Sequence, residues 1–304
     1  MQIGIVGLGK MGANMSKRLL QGEHRVVVTD LNPHAVTAAK AEGAIGTSEM
    51  YSLVEALDRP RVVWVMVPAG EPTESTINGL IALLSEGDTI IDGGNSNYKD
   101  TMRRAEAVRE AGLRFVDVGT SGGVWGLQEG YSMMIGGEAG AVAPLRPIFE
   151  TLAPAADKGW AHVGPSGSGH FVKMVHNGIE YGMMQAYAEG FSILKAKEEF
   201  NLDLADVARS WQHGSVVRSW LLDLTKAALD QDQEFEGISA HVSDSGEGRW
   251  TVFEAIDLNI SAPIITMSLQ RRVRSREQES YTDKLLSVMR NQFGGHALKP
   301  KETR

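Results

Sequence analysis

The chain of 304 residues contains no cysteine. Disulfides, thiolate metal sites and cysteine nucleophiles are therefore excluded. It also has little proline, 10 residues in all. No apolar run approaches the ~18 residues that a membrane-spanning helix needs. Basic residues are in deficit: Lys and Arg total 30 against 38 Asp and Glu, a formal net charge of −8. A nucleic-acid partner, which needs a basic footprint, is not expected. The first residues, MQIGIVGLG, lack the basic stretch and long apolar core of a secretory signal. A soluble protein of the cytoplasm, with no membrane partner, is the expectation.

Glycine is in excess, 34 of 304 residues, against a usual ~7%. With so little proline this is no low-complexity composition, and no three-residue period points to collagen. Glycine at this level in a folded chain suggests tight turns and close backbone approach.

The first half alternates strand-like and helix-like segments. Apolar, β-branched runs at Ile3 to Val6, Arg25 to Thr29, Arg61 to Val67, Thr89 to Ile91, Phe115 to Val118 and Ser132 to Ile135 read as strands. Helical patterns lie between them, at 11–21, 33–42, 73–85 and 99–111. This order predicts an α/β fold, a doubly wound parallel sheet of the Rossmann type covered on both faces. After about Gly164 the strand pattern stops. Apolar residues recur at three- and four-residue spacing from Gly169 to about Glu199, predicting one long helix, and more helices follow near 203–212, 216–229, 249–258, 264–276 and 279–290. Two domains are expected: residues 1–164 binding a dinucleotide, and an all-α domain over 165–304 for substrate and oligomerisation.

Gly7-Leu8-Gly9-Lys10-Met11-Gly12 is a GxGxxG between a strand and a helix. The first glycine permits the turn, the second lets backbone approach a pyrophosphate, and the third allows close helix–strand packing. The helix start adds free N–H groups and partial positive charge. Asp30 ends the second strand, where an acid accepts hydrogen bonds from ribose hydroxyls and repels a 2′-phosphate. Leu31 supplies no balancing arginine, which favours NAD over NADP. Asp30 also suits a turn before Asn32-Pro33, and both roles can coexist.

The stretch Gly164 to Gly182, GPSGSGHFVKMVHNGIEYG, sets Lys173, His176, Asn177 and Glu180 at offsets 0, 3, 4 and 7, one helical stripe. Four polar groups in register are costly to bury without a purpose; a solvated stripe is the alternative. A lysine whose pKa falls can act as a base, and a glutamate whose pKa rises can act as an acid. His176 lacks a partner at metal-ligand spacing, so no metal is expected. Two loops, Asp92-Gly93-Gly94-Asn95-Ser96 and Gly119-Thr120-Ser121-Gly122-Gly123, follow strands. Strand C-terminal ends are where open α/β sheets bind ligands, although each loop taken singly also reads as a plain turn.

With these motifs in place, the sequence resembles the decarboxylating 6-phosphogluconate dehydrogenases, and within them the short-chain branch. The resemblance rests on GLGKMGAN (7–14), VMVPAG (65–70), DGGNS (92–96), GTSGG (119–123), GYSMMIGG (130–137) and GHFVKMVHNGIEYG (169–182). It implies Lys173 as the base and Glu180 as the acid of an oxidative decarboxylation that gives ribulose 5-phosphate and CO2. Asn95, Ser121, Gly122, Gly123, His176 and Asn177 would hold the phosphorylated sugar acid, and Tyr181 its phosphate. Val67, Pro68 and Ala69 would run along the cofactor, with Asn95 also near it. The cofactor would be NAD, with NADP as the alternative.

The phosphate site departs from the family. In SDSGEGRWT (243–251) the family's phosphate-binding Lys and Thr fall on Ser245 and Glu247. Glu247 would repel a phosphate unless it points away. Within the run Arg271, Arg272, Arg274 and Arg276, Arg274 takes the place of the family's phosphate-binding Arg. Near the end, Arg290 and His296 would reach into a neighbouring subunit, which requires a homo-oligomer, dimer or tetramer. Ser245 and Glu247 also motivate a second reading, a β-hydroxyacid reductase acting on a smaller, unphosphorylated acid. A protein that binds NAD without turnover is a third.

Overall fold

The computed structural model describes residues 1–299. Two compact units are present, Met1–Gly178 and Ile179–Arg304.

The first unit is built on an eight-stranded sheet in the order β3-β2-β1-β4-β5-β6-β7-β8. The strands are β1 (Gln2–Val6), β2 (Arg25–Thr29), β3 (Ile45–Gly46), β4 (Val62–Val65), β5 (Thr89–Asp92), β6 (Arg114–Ser121), β7 (Ser132–Gly137) and β8 (Trp160–Gly164). The helices between them are α1 (Lys10–Gln21), α2 (Pro33–Ala41), α3 (Met50–Glu55), α4 (Glu71–Leu83), α5 (Tyr98–Glu110), α6 (Gly126–Glu129), α7 (Ala139–Val142) and α8 (Arg146–Leu152). Side chains alternate across the sheet. Ile3, Ile5, Val26, Val28, Trp64, Ile91 and Val116 fill one core. Val27, Val63, Val65, Ile90 and Phe115 fill the other. The period of two along each strand sends neighbours to opposite faces, so runs without polar interruption bury both.

All pairings are parallel except β6 with β7, which is antiparallel. The expected doubly wound parallel sheet is present, with this one antiparallel pair near its edge. The link from Ser121 to Ser132 is too short for a crossover, which takes a dozen or more residues. The two-residue β3 is too short to show a period, and β8, WAHVG, has no alternation of buried and exposed positions, so periodicity passes over both.

The long helix α9 runs from Ser168 to Ala196. It is followed in the second unit by α10 (Leu204–Trp211), α11 (Trp220–Leu229), α12 (Glu247–Asp257), α13 (Pro263–Ser275) and α14 (Tyr281–Gly294). Among the described residues of this unit no strand occurs. Phe191, Leu204, Ala208, Leu222 and Leu229 form its small core. The expected helix over 216–229 begins instead at Trp220, because Ser219 caps it by accepting the Leu222 N–H at 3.1 Å. Among the described residues no helix is long and apolar enough to cross a membrane.

Candidate active site

The glycine loop sits where the strand order reverses, between β1 and its neighbours β2 and β4. Gly7 has φ +100°, and a Cβ there would lie 2.4 Å from Met66 O. A Cβ on Gly12 would lie 2.0 Å from Gly7 O, whereas one on Gly9 would meet nothing within 4 Å. The outer glycines are thus demanded by the fold itself. Gly9 leaves open the space that a dinucleotide phosphate requires at the start of α1. Leu8 and Gly12 are buried, Met11 is half-buried, and Gly9 and Lys10 are exposed. Asp30 closes the loop from the side: its carboxylate accepts from Leu8 N at 2.5 Å and from Asn32 N at 2.7 Å. Leu31 beside it is fully exposed. The glycine loop and Asp30 are the residues that would hold a dinucleotide.

Two loops follow at the ends of β4 and β5. Val67 is half-buried, and Pro68 and Ala69 are exposed. Thr73 Oγ1 donates to Pro68 O at 2.9 Å and anchors that turn to α4. The DGGNS loop is held from within by fully buried Asp92, which accepts from Gly94 N at 3.2 Å and Ser96 Oγ at 2.9 Å. Arg104 on α5 lies 3.4 Å from Asp92 and 2.8 Å from Glu74 on α4. Arg103 grips Glu74 through both of its oxygens at 2.7 Å. The Arg103 hydrogen bonds, joined by Arg104, pull the Glu74 carboxyl down to about 2. Asn95, at the tip of the braced loop, is exposed.

The Lys173 stripe is positioned by a second buried acid. Asp117 on β6 accepts from Gly167 N at 2.7 Å and from His170 N at 3.0 Å, capping α9. Cβ atoms would clash at Gly169 (2.5 Å from Met134 O) and at Gly136 (2.5 Å from Asp117 Oδ1). Glycine at these sites lets α9 press onto β6 and β7. Lys173 is 7% exposed, and its Nζ donates to Asn177 Oδ1 at 2.6 Å, with His176 Nδ1 at 3.4 Å. His176 Nδ1 and Asn177 Oδ1 are 3.0 Å apart. Three of the four stripe residues are therefore joined side chain to side chain, and a purely solvated stripe is excluded for them. Ser121 ends β6 and Gly122 and Gly123 follow it, with φ +138° and +51° at the two glycines. His170 Nδ1 lies 2.8 Å from Thr101 Oγ1, joining α9 to α5.

In the second unit, half-buried Glu180 lies further along α9 than Lys173, and Tyr181 is 5% exposed. The Tyr181 hydroxyl accepts from Ser245 N at 3.1 Å and lies 3.3 Å from Ser245 Oγ. The Arg272 guanidinium stacks on the Tyr181 ring at 3.5 Å. Glu247 does not turn to solvent: it is 2% exposed, and Ser245 Oγ donates to it at 2.5 Å. Arg274 is not brought to this cluster. It is exposed and pairs with Asp283 at 2.6 Å and Glu277 at 3.4 Å. Arg290 on α14 and His296 beyond it are exposed, and His296 O accepts from Asn291 Nδ2 at 2.9 Å.

Sequence reading missed the two buried aspartates that hold the loops, and it passed over Arg272. Asp92 opens the DGGNS motif and Asp117 stands two residues before GTSGG. An acid inside an apolar strand was the available signal, because such a charge needs local donors. Among the described residues no group of three or more His, Asp or Glu side chains is arranged to hold a metal.

Comparison with known proteins extends these observations. Residues 2–164 match the NAD binding domain of 6-phosphogluconate dehydrogenase. Residues 169–294 match the 6-phosphogluconate dehydrogenase C-terminal domain. A Bacillus subtilis protein, YqeC, named provisionally as a 6-phosphogluconate dehydrogenase, is 45% identical over 99% of this chain and all of its own length. An NAD(+)-dependent, decarboxylating 6-phosphogluconate dehydrogenase of Haloferax volcanii is 41% identical over 99% of this chain and its full length. Among solved structures, the Plasmodium falciparum 6-phosphogluconate dehydrogenase, described in apo form and with NADP+ or 6-phosphogluconate, superposes with a TM-score of 0.83 at 28% identity. That match covers all of this chain and 67% of the other. Two family models in tandem, full-length relatives and a shared sheet with its helical continuation lead to one assignment: the chain belongs to the 6-phosphogluconate dehydrogenase family.

Proposed function

We propose that this protein oxidises and decarboxylates 6-phosphogluconate to ribulose 5-phosphate and CO2, with a nicotinamide dinucleotide as acceptor. The observation that carries the reading is the buried Lys173 amine, held 2.6 Å from Asn177 Oδ1 on a helix docked against the loop strand β6. Residues 1–164 serve the dinucleotide, and residues 165–304 serve the substrate and assembly.

When bound, the nicotinamide supplies the hydride acceptor. Lys173 takes the proton of the substrate's 3-hydroxyl as the hydride leaves that carbon. The product is a β-keto acid, which loses CO2 while Lys173 returns the proton to the keto oxygen. Glu180 then protonates the resulting enediol at carbon. Asn95, Ser121, Gly122, Gly123, His176 and Asn177 orient the sugar acid through backbone N–H groups and side-chain hydrogen bonds. Tyr181 and Arg272 take its phosphate. The stacking of Arg272 on Tyr181 supports Arg272 for this role over Arg274, which its two acidic neighbours neutralise. Gly7, Leu8, Gly9, Lys10, Met11 and Gly12 receive the pyrophosphate, and Val67, Pro68 and Ala69 flank the cofactor. NAD is favoured over NADP, because Asp30 would repel a 2′-phosphate and exposed Leu31 offers no cation.

A homo-oligomer completes this reading, with Arg290 and His296 contributed to a neighbouring copy's site. A cytoplasmic location follows from the reactants, since a phosphate ester and a dinucleotide do not cross membranes unaided.

The test mixes the purified protein with 6-phosphogluconate and NAD or NADP, and follows reduced nicotinamide and released CO2. Turnover with NAD favoured is expected. Absence of turnover with both cofactors would overturn the proposal. The inward-facing Glu247 favours a second reading, a reductase for small unphosphorylated β-hydroxyacids. Turnover of such C3–C4 acids without turnover of 6-phosphogluconate would select it.

A further inference from the structure

We propose that Glu247 is a positioning residue that sets the hydrogen-bond polarity at the distal end of the substrate site. Acting through Ser245, it makes that end select a phosphate ester that still carries one proton over the fully ionised dianion. The inference rests on the reading of Tyr181 and Arg272 as the phosphate end of the site.

Proton direction decides the selectivity. A carboxylate accepts hydrogen bonds and does not donate them. Glu247 Oε2 lies 2.5 Å from Ser245 Oγ, so the single Ser245 hydroxyl proton is committed to Glu247. Ser245, an exposed residue, is left with lone pairs to offer. Its backbone N–H is committed as well, to the Tyr181 hydroxyl at 3.1 Å. Tyr181 is thereby left as the donor of the group: its proton reaches Ser245 Oγ at 3.3 Å or turns to a ligand. A ligand here meets two donors, the Tyr181 hydroxyl and the Arg272 guanidinium, and one acceptor, Ser245. Phosphate with one proton matches all three. The dianion offers no proton to Ser245.

The charge count agrees. Arg272 stands over the Tyr181 ring at 3.5 Å, and Glu247, 2% exposed, opposes it. Arg249 and Arg276 are both drawn to Asp244, at 3.1 and 2.7 Å, and those two guanidinium groups hold the Asp244 carboxyl below the usual range against the burial that raises it. His241 lies 3.5 Å from Ser243 Oγ at the edge of the loop. The end of the site is thus less positive than its run of arginines suggests. Glu247 also carries a cost: its Oε1 is buried with no hydrogen-bond partner among the described residues. An unsatisfied buried carboxylate oxygen is destabilising, and such a group in a native fold calls for a reason. The bond that its other oxygen, Oε2, makes to Ser245 is the role assigned here to this costly side chain.

The experiment uses the full chain. Calorimetry measures binding of inorganic phosphate and of sulfate at pH 6, where sulfate carries no proton. Phosphate is expected to bind at least about tenfold more tightly, and the gap is expected to close in Glu247→Gln, whose amide can donate to Ser245 and release its proton outward. Equal binding of the two anions by the wild-type protein would overturn the proposal, and this arm needs no variant to fold. In steady state, KM for 6-phosphogluconate should rise by up to about tenfold per pH unit above the second phosphate pKa near 6. The rise should flatten in Glu247→Gln and persist in His241→Asn. A wild-type KM level across that range, or the same rise in Glu247→Gln, would refute it. Loss of all turnover would instead defeat the assigned reaction, and the anion comparison would still decide the role of Glu247.

Discussion

Lys173 lies directly over Gly119: a Cβ on Gly119 would stand 2.3 Å from Lys173 Cβ and 2.7 Å from Gly169 O. The lysine is placed by the absence of a side chain on the strand beneath it. Gly119→Ala should push α9 outward, lowering stability by about 1–3 kcal/mol as an overpacking change. Turnover should fall more than the population of folded protein does. Denaturant unfolding and kcat, measured on the same preparation, check both.

Lys173→Met should abolish hydride transfer and decarboxylation together, because one amine handles the proton in both. Glu180→Gln should slow turnover by about 10²–10⁴-fold, the usual contribution of a general acid. An active Lys173→Met enzyme, or a Glu180→Gln enzyme near the wild-type rate, would reject the respective role.

The carboxylate of Asp30 already accepts from Leu8 N and Asn32 N. Asp30→Ala should therefore loosen the glycine loop and raise KM for NAD. It should also narrow the ratio of kcat/KM for NAD over NADP, since the like-charge barrier to a 2′-phosphate is removed. An unchanged ratio would remove Asp30 as the selector.

Arg272 and Arg274 separate cleanly. Arg272→Ala should raise KM for 6-phosphogluconate by tenfold or more, as expected for loss of a charged contact worth ~1.5–3 kcal/mol. Arg274→Ala, which breaks exposed pairs with Glu277 and Asp283, should change it less than about threefold. The reverse order would restore Arg274 to the phosphate.

Acid sensitivity should trace to Glu74. Its pKa in the fold, about 2, is lowered from 4.5, chiefly by Arg103. A depressed carboxyl pKa contributes stability that is present above the unfolded value and is lost as pH falls toward the folded one. The Tm of the wild-type protein should thus fall between about pH 5 and pH 2, and Glu74→Gln should flatten that segment while lowering Tm at neutral pH. Parallel slopes in the two proteins would exclude Glu74 as a source.

Local pattern determined much of this protein. Alternation of β-branched runs with helical periods dictates a sheet buried on both faces, since such strands have no polar side to turn to water. The Gly7–Gly12 loop, the offsets of Lys173, His176 and Asn177, and the strand-end loops were legible because spacing along one element fixes which side chains share a face. Tertiary packing decided the rest. Only the fold brings Asp92 to Arg104 and Asp117 to the start of α9, pairs whose partners lie on other elements. The same holds for the arginine run: four cations on adjacent turns are alike in sequence, and the position of the Tyr181 ring under Arg272 distinguishes one of them. Glu247 turned inward for a reason of the same kind, because the direction of a side chain depends on the donors that surround it, here Ser245, and on no property of the glutamate alone.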